Sequence, residues 1–216
     1  MYFDVNETLL TDYIIGLYTT DGENNLYYHD AELANGAKDK GYRYSGANPN
    51  NYVCFQTNDD VCSEDNLYQI IGLYYNPEKS EYNVKLSANN IFGVSFDLSN
   101  NFRNSLLDLI NNTLNNDYLN TISEISSKIA NYTWHLNEVT YPYSAKYFAE
   151  YTEALMDNAT QSGDILTLYW VSGNSWMITD TYSGVRPDSA RAVFYLNSNV
   201  KYISGDGSKT KPYIIN

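Results

Sequence analysis

The stretch from Gly41 to Tyr74, GYRYSGANPNNYVCFQTNDDVCSEDNLYQIIGLY, constrains this chain more than any other, because it sets both cysteines among turn formers and ends in an apolar run. Pro49 has a fixed φ and pushes Asn48 toward extended backbone, while Asn50 and Asn51 tolerate left-handed backbone, so the chain turns there. Tyr52, Val53 and Phe55 supply β-branched and aromatic residues for a short strand, and the polar TNDD run reverses direction again. Cys54 and Cys62 stand at the two feet of that reversal. They either bridge or lie as two buried free thiols. A bridge is the expectation, and it is a local clip, since closing a loop of about nine residues removes only roughly 2 to 3 kcal/mol of denatured-state entropy. Zinc lacks a ligand set, with no third cysteine and only His29 and His135 in the chain, and the C-x-x-C spacing of a redox site is absent. A bridge implies an oxidising compartment, and Leu67, Ile70, Ile71 and Leu73 read as a core strand.

At 216 residues the chain is long enough for one sizeable core, and a single domain over 1–216 is expected. A net charge of −13, with the basic residues scattered, excludes a nucleic-acid surface and disfavours an anionic membrane. No run reaches the length of a membrane helix, so no membrane insertion by this segment is expected. MYFDVNETLL lacks the basic region and apolar core of a signal peptide, so export implies a leader or anchor outside this sequence. The 23 tyrosines, beside an even larger number of asparagines, supply rigid contact area and adaptable hydrogen bonds, the chemistry of paratope-like surfaces. Extracellular strand-rich domains of similar composition also carry these residues without binding anything through them.

Asn6–Tyr18 places Leu9, Leu10, Tyr13, Ile14 and Leu17 at helical spacing and predicts a helix, ended by the turn DGENN. That acidic loop lacks the spaced carboxylates of an EF-hand. Leu26–Tyr28 and Tyr42–Tyr44 read as short extended pieces, Leu67–Tyr74 as a strand, and NPEKSEY as a hairpin connection to Tyr82–Leu86. IFGVSFDL, within Asn89–Leu98, alternates. Helical spacing recurs from Ser99 to Leu114, from Asp117 to Ala130 and from Ala145 to Met156. Ile165–Val171, Trp176–Thr179 and Arg191–Leu196 are strand-like, with Gly173, Asn174, Gly184 and Pro187 marking turns, and Val200–Ile215 ends in a turn and a last short strand. Helices first and antiparallel strands last predict an α+β fold.

Three segments carry a family resemblance: YRYSGANPNNYVCFQTNDDVCSEDNLYQIIGLY, SSKIANYTWHL and ARAVFYLNSNVKYISGDGSKTKPYII. They resemble a domain of unknown function that recurs in secreted and surface proteins of Gram-positive bacteria, sometimes beside pilin-like segments. The resemblance implies a C-type-lectin-like fold, distantly shared with formylglycine-generating enzymes. It divides the chain into a helix and loop over 1–40 and a family-like core over 41–216. The sequence departs from the family where Asp188 and Ser189 separate GVRP from the apolar strand, where Ala192 stands in place of Pro, and between Trp134 and Ile165.

No G-x-S-x-G, H-E-x-x-H, P-loop or dinucleotide motif is present, so no enzyme is expected. His135 in TWHL reads as a packed residue rather than a general base. The formylglycine-generating activity does not carry over, because its cysteine pair lies near the C-terminus and Cys54 and Cys62 lie in the first third. Calcium-mediated sugar binding calls for Glu-Pro-Asn-like and Trp-Asn-Asp runs, neither of which occurs, so no cofactor and no metal are expected and calcium is the lesser alternative. In the lectin-like fold the ligand face precedes the closing strand, which selects Tyr169, Trp170, Asn174, Trp176, Asp180 and Tyr182 as ligand-binding residues, with Leu168, Trp170, Met177 and Ile178 competing for the core. Arg186 or Arg191 is expected to anchor the closing strand. The function expected is an extracellular, cell-surface, adhesin-like module that recognises a host protein or glycan. The alternatives are a pilin-like or stalk subunit that self-assembles, and a cell-wall or glycan-active enzyme.

Overall fold

The apolar segment that follows the cysteines becomes β5 (Leu67–Asn76), the strand on which the sheet is assembled. The computed structural model describes residues 8–29, 40–46, 49–55, 62–76, 78–88, 92–97, 119–122, 125–130, 132–137, 146–147, 158–163, 167–172, 175–178 and 185–216, with residues 29, 92–97, 119 and 132–191 described through the backbone alone. The first half supplies β1 (Thr8–Leu9), α1 (Leu10–Leu17), β2 (Leu26–His29), β3 (Gly41–Tyr44), β4 (Tyr52–Phe55), β5, β6 (Glu81–Ala88) and β7 (Phe92–Asp97). The second half supplies α2 (Leu119–Thr121), then β8 (Tyr132–Asn137), β9 (Lys146–Tyr147), β10 (Asn158–Gly163), β11 (Thr167–Ser172), β12 (Ser175–Ile178), β13 (Val185–Tyr195), β14 (Lys201–Ser204) and β15 (Tyr213–Ile215). Among the described residues this is a mixed, strand-rich α+β structure.

All the described strands but two join one 13-stranded sheet in the order β1-β14-β15-β4-β5-β6-β13-β11-β12-β9, with β2 on β3, β3 on β5 and β7 on β13; β8 and β10 pair separately. The branching follows from length. β5 takes β4 along its first residues and β3 further along, and β13 likewise takes β7 and then β6. The pairs are antiparallel except β15, whose Tyr213, Ile214 and Ile215 run parallel to Val53, Cys54 and Phe55.

The register of β5 against β6 slips by one residue between Ile70 and Gly72. Strict alternation would turn Leu73 away from the face that holds Tyr68 and Ile70. The slip restores it, so Tyr68, Ile70 and Leu73 stand opposite Ala88, Leu86 and Val84, and all are buried. On this front face Leu10 and Ile14 of α1 pack with Val53, Phe55, Phe194 and Ile215. Burying a side chain such as Ile14 contributes about 1.5 to 3 kcal/mol. β6 is buried on both sides from Asn83 to Ala88, and behind it lies a smaller cluster of Tyr74, Ala130, Val193 and Tyr195. The hairpin tip between β5 and β6 is fastened by Asn76, whose Oδ1 accepts from the Glu78 and Lys79 amides.

Several sequence expectations change. The helix predicted from Asn6 begins at Leu10, because Thr8 and Leu9 pair with Tyr202 and Lys201. Of the helix predicted over Asp117–Ala130, Leu119–Thr121 is helical and residues 117, 118, 123 and 124 lie outside the described residues, while its end departs from the expectation: Ser126–Lys128 is a 3-10 turn, Ile129 bridges Leu196 and the Ala130 amide donates to the Tyr195 carbonyl. Within Ala145–Met156, Lys146 and Tyr147 are strand, paired with Ile178 and Met177, and residues 148–156 lie outside the described residues. The helix predicted from Ser99 to Leu114 also lies outside them. Pro187 marks no turn: it sits inside β13 at the register of Ser95. The order of helices first and strands last is likewise replaced, because β1 to β6 belong to the same sheet as β13 to β15.

Candidate functional site: a band of tyrosines

Cys54 and Cys62 are joined in a disulfide with Cα atoms 6.1 Å apart. It closes the reversal beside β4, whose Val53 and Cys54 stand opposite Tyr68 and Leu67. The residues selected as a ligand face are only partly placed. Tyr169 and Trp170 fall on β11, at the register of Arg191 and Ala190, and Trp176 falls on β12 opposite Val171. Strand alternation sets positions 169 and 176 on one face of the sheet and position 170 on the other. Asn174, Asp180 and Tyr182 lie outside the described residues.

A different aromatic constellation stands in the first half of the chain. Tyr42 of β3 is opposite Tyr28 of β2, and Tyr75 of β5 is opposite Tyr82 of β6. Tyr18, just past the C-terminus of α1, completes the set. The rings touch in sequence: Tyr18 to Tyr28 at 6.2 Å, Tyr28 to Tyr42 at 5.0 Å, Tyr42 to Tyr82 at 5.8 Å and Tyr82 to Tyr75 at 5.3 Å, with Tyr18 also 5.2 Å from Tyr42. All five are half-buried, ring against core and part of each ring in water, and Tyr27 beside them is 39% exposed. Offset and edge contacts of this kind add about 0.5 to 1.5 kcal/mol per pair.

An acidic group borders the band. Asp21 accepts from the Tyr18 hydroxyl at 3.0 Å and from the Tyr28 amide at 2.9 Å, whereas Glu81, next to Tyr82 and so on the other face of β6, accepts from the Ser198 hydroxyl at 2.7 Å. Glu23 receives the Thr19 hydroxyl, and Glu78 is exposed at the hairpin tip. At the other end the Lys40 ammonium lies 5.4 Å from the Tyr75 ring centre. Partial burial, and for Tyr18 the hydrogen bond to Asp21, push the Tyr18 and Tyr82 phenols up from the ordinary value. Both therefore stay protonated as hydrogen-bond donors and are weaker acids than a free phenol.

On the opposite face of the same strands runs a row in register across β3, β5, β6 and β13: Arg43, Gly72, Lys85 and Tyr195. Arg43 and Lys85 are buried. The Arg43 guanidinium lies 3.5 Å from the Tyr74 ring centre and donates from Nη1 to the Leu73 carbonyl at 2.9 Å, while the Lys85 ammonium is 4.9 Å from Tyr74 and 5.3 Å from Tyr195. Gly72 makes this fit, because a Cβ there would meet the Tyr42 carbonyl oxygen and come within 2.9 Å of Arg43 Cδ. Phenol faces thus already hold cations in this fold.

A third group ties α1 to the C-terminal strands. Tyr13 stacks on Tyr202 at 3.7 Å, and Tyr213 meets both edge-on. Burial pushes the Tyr44 and Tyr213 phenols up, and burial together with the Tyr13 hydroxyl brings Tyr202 to about 12. Among the described residues no cluster of three or more His, Cys, Asp or Glu could hold a metal ion, and no helix is long and apolar enough to cross a membrane.

Sequence reasoning passed over the band because it weighed tyrosines by local richness. The available signal was positional, in YY at 27–28, YRY at 42–44, YY at 74–75 and EYN at 81–83 on four short extended segments, but which of these pair is a tertiary fact. The chain matches no family model, and no curated protein and no solved structure is similar to it.

Proposed function

We propose that this chain is an extracellular, adhesin-like binding module of a Gram-positive bacterial surface, which recognises a host protein or glycan through a tyrosine-rich face and has no catalytic role. The observation that carries the reading is the run of five half-exposed phenols in ring-to-ring contact, held by a sheet whose core lies directly beneath. Rigid aromatic groups that keep a polar tip in water give large contact area at small entropic cost. The disulfide supports an oxidising location. The sequence resemblance supports reading the sheet as a distant variant of the C-type-lectin-like fold. No cofactor is assigned to the band, whose groups are phenols, amides and a few carboxylates.

A screen of immobilised glycans and extracellular matrix proteins tests the reading. The double variant Tyr28→Ala/Tyr42→Ala should lower binding to any hit by tenfold or more, about the 1.4 kcal/mol that one lost aromatic anchor accounts for. Trp176→Ala reports on the face originally selected from the sequence. If both variants bind as the parent does, neither surface is the site. Concentration-dependent self-association that the tyrosine variant abolishes would favour the pilin-like subunit.

A further inference from the structure

We infer that the occupant of the tyrosine band is a basic polypeptide segment, whose arginine side chains seat in the notches between Tyr28, Tyr42 and Tyr82; this rests on the binding-module reading above. Ring geometry is the first ground. Neighbouring rings in the band are tilted by 51°, 54°, 57°, 64° and 67°, so no contacting pair lies parallel. An oligosaccharide stacks its flat pyranose faces on aromatic faces presented in one plane, and no two touching rings of this band share one. Tilted neighbours leave wedges between them, which suit a planar guanidinium on a flexible stem.

Charge is the second ground. Asp21 and Glu23 lie at one end of the band and Glu78 at the hairpin tip at the other, and the whole chain carries −13. Such a field draws cations in and repels sulfated or uronate glycans. Among the described residues Lys40 and Lys79 are the positive groups nearby, and Lys40 itself lies over Tyr75, so one end of the band already seats a cation. The third ground is on the reverse of the same strands, where the Arg43 guanidinium rests 3.5 Å from the Tyr74 ring centre. Arginine fits better than lysine, because its fork can stack on a phenol while donating to Asp21 or to a neighbouring hydroxyl.

The test uses the intact, disulfide-bonded chain, with fluorescently labelled nona-arginine and nona-lysine followed by anisotropy and chitohexaose followed by calorimetry. The expected result is that nona-arginine binds about tenfold tighter than nona-lysine, and that Tyr28→Leu and Tyr42→Leu each weaken the arginine peptide about fivefold while barely moving the lysine peptide. Tyr27→Leu is the neighbouring control, and circular dichroism establishes that each variant is folded. Equal binding of the two peptides, unaffected by the tyrosine variants and abolished by about 0.3 M salt, would be bulk attraction to an acidic chain and would overturn the inference. Binding of chitohexaose that the tyrosine variants remove would overturn the inference and leave the binding-module reading standing. Should the tyrosine variants alter no probe and no hit of the screen, both fall.

Discussion

Tyrosine dominates this chain, and the same side chain does different work at different positions. Tyr68 and Tyr195 are wholly buried, Tyr74 carries two cations, and Tyr28, Tyr42 and Tyr82 keep part of each ring in water. The cluster of Tyr13, Tyr202, Tyr213 and Tyr44 makes a prediction in alkali. Tyr202 rises from 10.0 to about 12, chiefly through burial, and Tyr44 and Tyr213 are raised as well. A raised acid contributes stability that is fully present below its unfolded value and is lost as pH climbs through the folded one. Stability should therefore hold to about pH 10 and fall between about 10 and 12, with part of the phenolate absorbance at 295 nm appearing only as the far-UV signal collapses. Titration of every tyrosine in one wave near pH 10 with the fold intact would contradict this. Gly72 gives a second prediction at this scale. Alanine there must displace the Tyr42 carbonyl or Arg43, and should cost roughly 2 to 3 kcal/mol in urea unfolding, whereas Gly16, with open space around its Cα, should accept alanine with no such loss.

Among the elements, the cysteine clip and β5 behave differently. Cys54→Ser/Cys62→Ser removes a crosslink that closes a short loop, so it should lower stability by roughly 2 to 3 kcal/mol and leave the sheet formed, as followed by denaturant titration and far-UV dichroism. Complete unfolding on reduction would show that the clip organises the sheet rather than a single loop. β5 depends on what lies on both of its faces. Arg43→Lys keeps the charge but loses the fork that stacks on Tyr74 and reaches the Leu73 and Tyr42 carbonyls, so it should cost about 1 to 2 kcal/mol, and Arg43→Ala about 3. Stability equal to the parent in the lysine variant would mean that the guanidinium geometry is idle.

For the whole molecule, the C-terminal strand is a structural closure. β15 enters between β14 and β4, buries Tyr213 and Ile215, and its Tyr213 hydroxyl donates to the Asn50 carbonyl. Removing residues 211–216 should abolish cooperative thermal unfolding, since it opens the sheet and exposes Val53 and Phe55; a sharp transition at the parent temperature would refute that. Much of this architecture was legible locally. The extended segments at Leu26, Tyr42, Tyr52, Leu67, Tyr82 and Thr167, the hairpin after Asn76, the N-terminal helix and the cysteine bridge all follow from turn chemistry, side-chain alternation and sequence proximity, which act within a few residues. The helix expected around Ile129 and the turn at Pro187 failed for the opposite reason: Leu196 and β7 offer those backbones distant hydrogen-bond partners that outweigh local preference. The sequence alone therefore determined which residues would be extended, clipped or aromatic. Only the tertiary structure decided that Tyr28, Tyr42, Tyr75 and Tyr82 would meet on one face, because strand pairing across long separations depends on core burial that no local window contains.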